Sequence, residues 1–551
     1  MTLAVGHSFG NCPQYIQLRD FEFARDPKLP PKQLPEYLDA ITDDVREWIR
    51  SSDTFFVGSY VDREGERQVD VSHRGGKPGF VRVSDDGVLT VPDFAGNFHF
   101  NTLGNFLINS RAGLMFVDFE TGDILQMSGR AHVILESPEI SAFQGAERLW
   151  TFQPEKIVVR RAASPLRWKL RDQAFSPNAL MTGSWSEAAA ALEAEALKTA
   201  WRDFKIDRIV DEADHIKSFY LQPADGKGRI RHKAGQHLPI RVRLPGASKD
   251  EIRTYTISSA PADDAYRISI KQQDKVSDYL HSLKVGDILS ARGPSGSFHL
   301  SGDETRPAVL ISAGIGVTPM ISMARHIAFE GRRLRQTRPT WIIQLARSLA
   351  ERSFKAEFAA LVAESEGAIK HIPIHSQPAE TETENDDFAW RGRFATEDLS
   401  RVLPFDDYDF YLCGPDGFMQ DVYSGLRAKG VANARIHAEA FGPSTLKRDL
   451  ERQERVDEPE PAKENVSVRF TASAKEARWA PEQGTLLDLA EARGLEPDFS
   501  CRTGACGSCA AKLLKGSVSY PDGKTATVDP SHVLLCSAVP ADGSGPLEVE
   551  I

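Results

Sequence analysis

The sequence predicts a multidomain chain. A mostly β block runs to about residue 160, and a central block over about 203–446 passes from β segments into alternating strand and helix. A small cysteine-bearing domain follows from about 466. Three observations predict this. A chain of 551 residues is too long for a single hydrophobic core. Two stretches break the pattern: 161–202, where an irregular run over Ala162–Gly183 leads into an Ala-, Leu- and Glu-rich helix over Ser186–Arg202, and 447–465, KRDLERQERVDEPEPAKEN, almost wholly charged plus proline and unable to bury a core. The hydrophobic period also changes along the chain. Short strands such as Thr54–Tyr60 and Leu114–Asp118 mark the first block. In the central block an apolar strand from Val309 enters glycines and a helix from about Met320, and a second strand covers Thr340–Ala346.

The last domain carries Cys501, Cys506 and Cys509 in a C-x4-C-x2-C loop, followed by Cys536. That is the plant-type ligand spacing of a [2Fe–2S] cluster. Three thiolates from one tight loop converge on two irons, and the fourth arrives from another strand. Gly504, Ala505, Gly507 and Ser508 are small enough to let backbone N–H groups approach the cluster sulfurs. A zinc site would favour paired knuckles or Cys/His mixtures, and no histidine lies inside the loop. Six cysteines in the whole chain do not make a disulfide scaffold.

In the central block, Arg253-Thr254-Tyr255-Thr256-Ile257-Ser258 reads as a strand, with Arg253, Tyr255 and Ile257 on one face and Thr256 on the other. Arginine forks a phosphate, tyrosine covers an aromatic ring and threonine bonds a ring edge. Val309–Pro319 is an apolar strand running into Gly314, Gly316 and a helix N-terminus, the generic dinucleotide site. Together with Lys275–Leu280, the turn Pro294-Ser295-Gly296-Ser297-Phe298 and Cys413-Gly414-Pro415, this block resembles the ferredoxin–NADP reductase superfamily over about 240 residues. The resemblance implies a flavin-binding β-barrel over 203–302 and an α/β NAD(P)-binding domain over 303–446.

It further implies that Arg253, Tyr255, Thr256 and Ile257 hold flavin, with Val276 and Ser277 meeting the pyrophosphate through backbone and hydroxyl. Gly314, Gly316, Thr318, Gly414 and Pro415 would hold the dinucleotide, with Arg347 and Ser348 facing the adenosine ribose. Tyr255, Thr256, Cys413 and Glu439 are the expected catalytic residues, and Phe441 lies with Glu439 near the flavin edge. NADH is favoured over NADPH, and FAD over FMN. A nicotinamide gives two electrons at once and the cluster takes one, so a flavin must stand between them. The module order is similar to that of phthalate dioxygenase reductase-type reductases, and the expected path is NAD(P)H to flavin to cluster to an acceptor. The cluster domain, 466–551, would then be a β-grasp ferredoxin-like fold.

In the first block, Val69–Val83 alternates like a strand, turns through glycines and re-enters a strand, and Pro92–Asn105 is dense in small and amide residues. This resembles the pyridoxamine 5′-phosphate oxidase-like split barrel, an FMN-binding family that dimerises. The resemblance implies that Ser72, His73, Arg74 and Asn97, with Asn101 and Thr102, approach an FMN. Gly96-Asn97 stands where that family carries an Arg-Lys pair, so phosphate charge would come from Arg74, Lys77 or Arg82. A haem or another ligand, reduced within the same chain, is one alternative. A barrel used only for binding or dimerisation is the other. The turn-rich start around His7–Pro13 reads as an entry in mid-domain, as in an N-terminally shortened barrel.

The composition is 41% hydrophobic and 26% charged, with net charge −11. That balance gives a nucleic-acid or anionic-membrane partner no electrostatic support. No apolar run approaches the ~18–20 residues of a membrane span. The expected setting is cytoplasmic, with an electron-accepting protein or small molecule as partner and a homodimer formed through the first block.

Overall fold

The structure is a computed structural model that describes residues 13–96, 100–302, 304–440, 446–448, 459–495, 497, 499, 504, 507, 509–521 and 528–551. Of the residues named above, His7, Asn97, Phe441, Cys501, Ala505, Cys506 and Ser508 lie outside the described set. The chain forms two compact units, one up to Ala196 and one from Leu197 onward, with Arg332–Leu334 grouping with the first.

The first unit is an antiparallel sheet centred on Thr54–Arg63, Arg111–Val117, Ile124–Ile134 and Ala146–Arg160. Glu66–Gly75 pairs with Thr54–Arg63 at one edge, and Leu89–Phe94 continues the sheet beyond Ala146–Arg160. Alternation drives one face inward: Phe55, Val57, Leu114, Phe116, Trp150 and Phe152 are buried in one core. The stretch 161–202 is not the irregular linker expected. Leu166–Leu170 pairs with Arg19–Phe23 as a ribbon, Trp168 opposite Phe21. The helix covers Trp185–Glu195 and is set by a capping box between Ser184 and Glu187. It belongs to this unit because Trp185 packs in the core and donates its indole N–H to the Phe80 carbonyl at 2.9 Å.

Among the described residues the second unit holds three larger sheets and a two-stranded ribbon, Val518–Ser519 with Val539–Pro540. In the first, Arg202–Ala213 pairs with Ile216–Pro223 and Ile288–Ala291, and His237–Val242 joins the latter to Glu251–Thr256. A bridge between Ile257 and Ile268 brings the two edges together, closing the sheet around Phe204, Phe219, Leu238 and Ile268. The second sheet is wholly parallel. Ala308–Ala313 lies between Thr340–Ala346 and Asp409–Gly414, with Ile369–His375 and Ile436–Ala440 farther out. Its strand order reverses between Ala308–Ala313 and Asp409–Gly414, which places a ligand crevice at their C-terminal ends. The third sheet is mixed: Val466–Phe470 runs parallel to Leu547–Glu550 and antiparallel to Lys475–Trp479. The helix Leu486–Ala492 packs Leu486, Leu487 and Ala490 into the same core as Cys509 and Cys536. Ala462 is buried there too, so the charged segment ends by docking on this domain rather than running free to residue 465.

Candidate active site

Thr256 ends the strand Glu251–Thr256 and is directly paired with His237. Its Oγ1 is buried without a hydrogen-bond partner. Tyr255 is partly buried, and burial pushes its phenol well above the usual range, with the charge of Asp274 adding to this. Arg253 is exposed and donates to Glu251 Oε2 and the Ile252 carbonyl, each at 3.0 Å. Val276 and Ser277 lie in the first turn of the helix Lys275–Ser282. The Ser277 hydroxyl is already committed, accepting from Gln273 N at 2.9 Å and Asp274 N at 2.8 Å while facing Asp274 Oδ1 at 2.8 Å. Only backbone N–H groups of that turn remain for a pyrophosphate.

The nucleotide loop is shaped by close backbone approach. A Cβ added at Gly316 would lie 2.3 Å from the Cys413 carbonyl oxygen, so no side chain fits there. Thr318 is buried, with its hydroxyl donated to the Ile315 carbonyl at 3.0 Å. Gly414 closes the neighbouring strand, and Pro415 precedes the helix Asp416–Ala428. Arg347 and Ser348 lie just beyond Thr340–Ala346, as expected; the Arg347 side chain is 69% exposed, with Glu351 at 3.8 Å. The polar loop after Ile369–His375 folds back here. Gln377 N donates to the Arg347 carbonyl at 2.8 Å, and the Glu382 carboxylate accepts from Leu349 N at 3.0 Å.

Cys413 and Glu439 are cross-strand neighbours, both buried. Burial, and then the charge of Glu439, drives the Cys413 thiol well above its ordinary pKa, so it stays neutral. Sequence reasoning missed His237, which reaches Glu439 from the barrel, Nδ1 to Oε1 at 3.5 Å. No motif pointed to it; the structure shows it through Gly296, where an added Cβ would lie 2.8 Å from the His237 ring.

In the third domain Cys509 and Cys536 converge, Sγ to Sγ 3.2 Å, and Gly504 N donates to Cys536 Sγ at 3.2 Å. Two buried thiols with a backbone donor match the chemistry of a cluster-binding loop. A cavity of about 1000 Å³ lies between this domain and the barrel, lined by Gln236, Gly296, Gly507, Cys509, His532 and Leu535.

In the first unit, Ser72 and Thr102 hydroxyls meet at 2.7 Å, and Thr102 donates to Asp70 Oδ2 at 2.6 Å. Burial and the neighbouring Arg74 lower His73 to about 4. Arg74 faces the buried Asp93 at 3.2 Å, and Arg148 reaches the same carboxylate at 3.3 Å. Its charge is therefore balanced within the protein.

Residues 203–300 match the family described as the oxidoreductase FAD-binding domain, 310–424 the oxidoreductase NAD-binding domain and 471–541 the 2Fe-2S iron-sulfur cluster binding domain. A flavohemoprotein of Bacillus cereus is 34% identical over 280 residues, covering 48% of this chain and 68% of the relative. One of Bordetella pertussis is 34% identical over 263 residues, covering 46% and 64%. Among solved structures, the FAD/NAD-binding domain of a Vibrio cholerae nitric oxide dioxygenase is 36% identical, covering 44% of this chain and 99% of its own, with a TM-score of 0.39. Phthalate dioxygenase reductase is 21% identical, covering 64% and 98%, with a TM-score of 0.39. The chain thus belongs to the FAD- and NAD-binding oxidoreductases of the ferredoxin–NADP reductase type, with a 2Fe-2S cluster-binding domain joined at its C-terminal side.

Proposed function

We propose that the chain draws electrons from NAD(P)H and delivers them through its cluster domain to a separate acceptor, an oxygenase-type protein or another redox partner. The observation that carries this reading is the cavity between barrel and cluster domain, which has the Gly296 turn and Cys509 in one wall set. FAD, when bound, supplies the change from two-electron to one-electron transfer. The chain's own residues do the rest. Thr256 offers an unpaired buried hydroxyl to a ring edge, and Tyr255 offers a neutral aromatic surface beside it. The first turn of Lys275–Ser282 presents N–H groups to a diphosphate, and Gly314, Gly316 and Gly414 admit the dinucleotide backbone. Neutral Cys413 and buried Glu439 border the nicotinamide end, with Phe441 assigned to the same edge from sequence alone. Cys509 and Cys536, together with Cys501 and Cys506 of the ligand motif, would hold the cluster.

The first unit acts in this reading as a split-barrel platform for a homodimer. The pairing of Arg74 with Asp93 favours this over an FMN-phosphate site, and the exposed Val69 and Val71 on the edge strand Glu66–Gly75 support it. No helix among the described residues is long and apolar enough to cross a membrane. The cysteine ligand set, which needs a reducing compartment, supports a cytoplasmic setting.

Stopped-flow spectroscopy with electron paramagnetic resonance tests the path. NADH should bleach the flavin and then raise a reduced-cluster signal. Cys509→Ser should remove that signal and slow cytochrome c reduction by about tenfold or more. Cytochrome c reduction at the wild-type rate in that variant would overturn the reading. One flavin per chain fits the platform role, and a second flavin would sink it.

A further inference from the structure

A dinucleotide site tells NADH from NADPH at the adenosine 2′ position, where an arginine can hold the extra phosphate. Arg347 stands just past the strand Thr340–Ala346, where such a cation is needed. Glu351 Oε1 already lies 3.8 Å from its guanidinium. The loop after Ile369–His375 brings more negative charge to the same end. Its residues Gln377–Asp387 include Glu380, Glu382, Glu384, Asp386 and Asp387. With Glu351 that makes six carboxylates, against Arg347, Arg352 and Lys355 over 347–355. Two of these cations turn to one residue: Arg352 donates to the Asp387 carbonyl, and Lys355 Nζ lies 3.7 Å from the Asp387 carboxylate.

A buried pair fixes the loop in place. The Glu382 side chain is 5% exposed and that of His375 is wholly buried. Glu382 Oε2 meets His375 Nδ1 at 2.5 Å, while Oε1 accepts from Leu349 N at 3.0 Å and Ala379 N at 3.1 Å. Gln377 N donates to the Arg347 carbonyl at 2.8 Å, so two stitches tie the loop to 347–349. A carboxylate only accepts, so Nδ1 carries the ring proton. His375 Nε2 is buried without a partner, and a charged ring would leave an unpaired N–H there. Burial likewise pushes the His375 pKa down, which keeps the ring neutral. Burial alone would raise the Glu382 carboxyl, but the Leu349 and Ala379 amides and His375 hold it below its ordinary range. Glu382 is therefore a charge that its imidazole partner does not cancel.

We propose that Glu382 is a specificity-determining residue: pinned by His375 beside Arg347–Leu349, its carboxylate makes the ribose end of the site accept NADH and reject the 2′-phosphate of NADPH. The inference rests on the reading that Arg347 and Ser348 face the adenosine ribose. A 2′-phosphate brings about −1.5 to −2 charges, and the two nucleotides are otherwise identical. Salt screens a buried carboxylate less than an exposed one, so the rejection by Glu382 persists at physiological salt. The share contributed by exposed Glu380 and Glu384 fades as salt rises.

Calorimetric titration of the full chain with 5′-AMP and with 2′,5′-ADP reads this end of the site without turnover, because the probes differ only in the 2′-phosphate. Wild-type protein should bind 5′-AMP the more tightly. Glu382→Gln keeps an acceptor for the two amides and a polar group for His375, and removes the charge. Affinity for 2′,5′-ADP should then rise about threefold to tenfold while that for 5′-AMP changes by less than about twofold. The NADPH-to-NADH ratio of kcat/KM should rise by the same factor. Equal changes for both probes would mean that Glu382 serves only the fold of the loop and would overturn the proposal, as would unchanged 2′,5′-ADP binding. Should Glu382→Gln fail to fold, the wild-type comparison still decides, since 2′,5′-ADP bound as tightly as 5′-AMP sinks the selectivity. Binding of neither probe would instead refute the placing of the ribose at Arg347.

Discussion

The Thr256 hydroxyl is buried and unpaired, and its neighbours do not make up the deficit. Such a group costs free energy until something arrives to use it. Thr256→Val is nearly isosteric and removes the orphan. The expected outcome is a flavin-free protein as stable as wild type or about 1 kcal/mol more stable. The same variant should bind FAD about tenfold more weakly, because an isolated ring-edge hydrogen bond is lost. Melting curves with and without FAD, and a flavin titration, read the two effects. A destabilised flavin-free form with unchanged FAD affinity would mean that the hydroxyl serves the fold alone. At this scale the sequence named residues through motifs and resemblance, as for Tyr255, Thr256, Cys413 and Glu439, and the structure adds that the last three are buried. It was silent on His237, whose partner lies about 200 positions away. It also cannot show that a group is already in use. Ser277 and Arg74 looked available, yet one caps its helix and the other balances Asp93.

The helix Lys275–Ser282 shows how an element can carry opposing demands. Its N-terminus offers N–H groups to a diphosphate, while the Asp274 carboxylate accepts from Ser277 N at 2.8 Å and puts a negative charge at the same end. Asp274→Asn keeps the cap, since asparagine caps as well as aspartate, and removes the charge. FAD affinity should rise by roughly threefold to tenfold at low salt and by less at high salt. Isothermal titration at two ionic strengths measures this, and weaker binding with no salt dependence would show that Asp274 assists the site. Elements with strong periodicity were legible almost to the residue: Thr340–Ala346 is as expected, and Ala308–Ala313 begins one position earlier. The helix expected from about Met320 begins at Val317, because Pro319 in a first turn costs no hydrogen bond. The stretches 161–202 and 459–465 pack more of their length than composition suggests, for one reason. Composition reports how much apolar surface a stretch could bury, not whether a neighbour offers a place for it. Trp185 and Ala462 both find such a place.

Across the molecule, module order was readable because each module announces itself locally, while the seams were not, since they pair residues from different modules. Arg267, with a side chain only 2% exposed, meets Glu357, and Arg325 joins Glu357 at 3.0 Å to Asp263 at 2.8 Å, tying barrel to nucleotide domain. Titration acts at the same scale. Burial, and then Arg229, holds His232 down to about 3; burial, and then Arg352, holds His371 there too. Both lie in the second unit. Their folded pKa values sit below the unfolded value near 6.5, so the unfolded chain binds more protons as the pH falls. The stability they confer is present above about pH 6.5 and is lost as the pH falls toward 3. By pH 5 the loss is about 2 kcal/mol per histidine, a large part of a typical domain's margin. In the first unit His73 acts in the same direction, but buried Asp93, raised mainly by burial, acts in the opposite one. Glu212, also raised by burial, is the corresponding opposing carboxylate in the second unit, where two histidines outweigh it. Thermal unfolding between pH 7 and 5 should therefore show the second unit's transition falling faster than the first's. Substituting His371 by Gln, which cannot take up a proton, should make the second transition less steep in pH by about one proton. A second transition that holds or rises on acidification would show that these histidines are protonated in the folded protein.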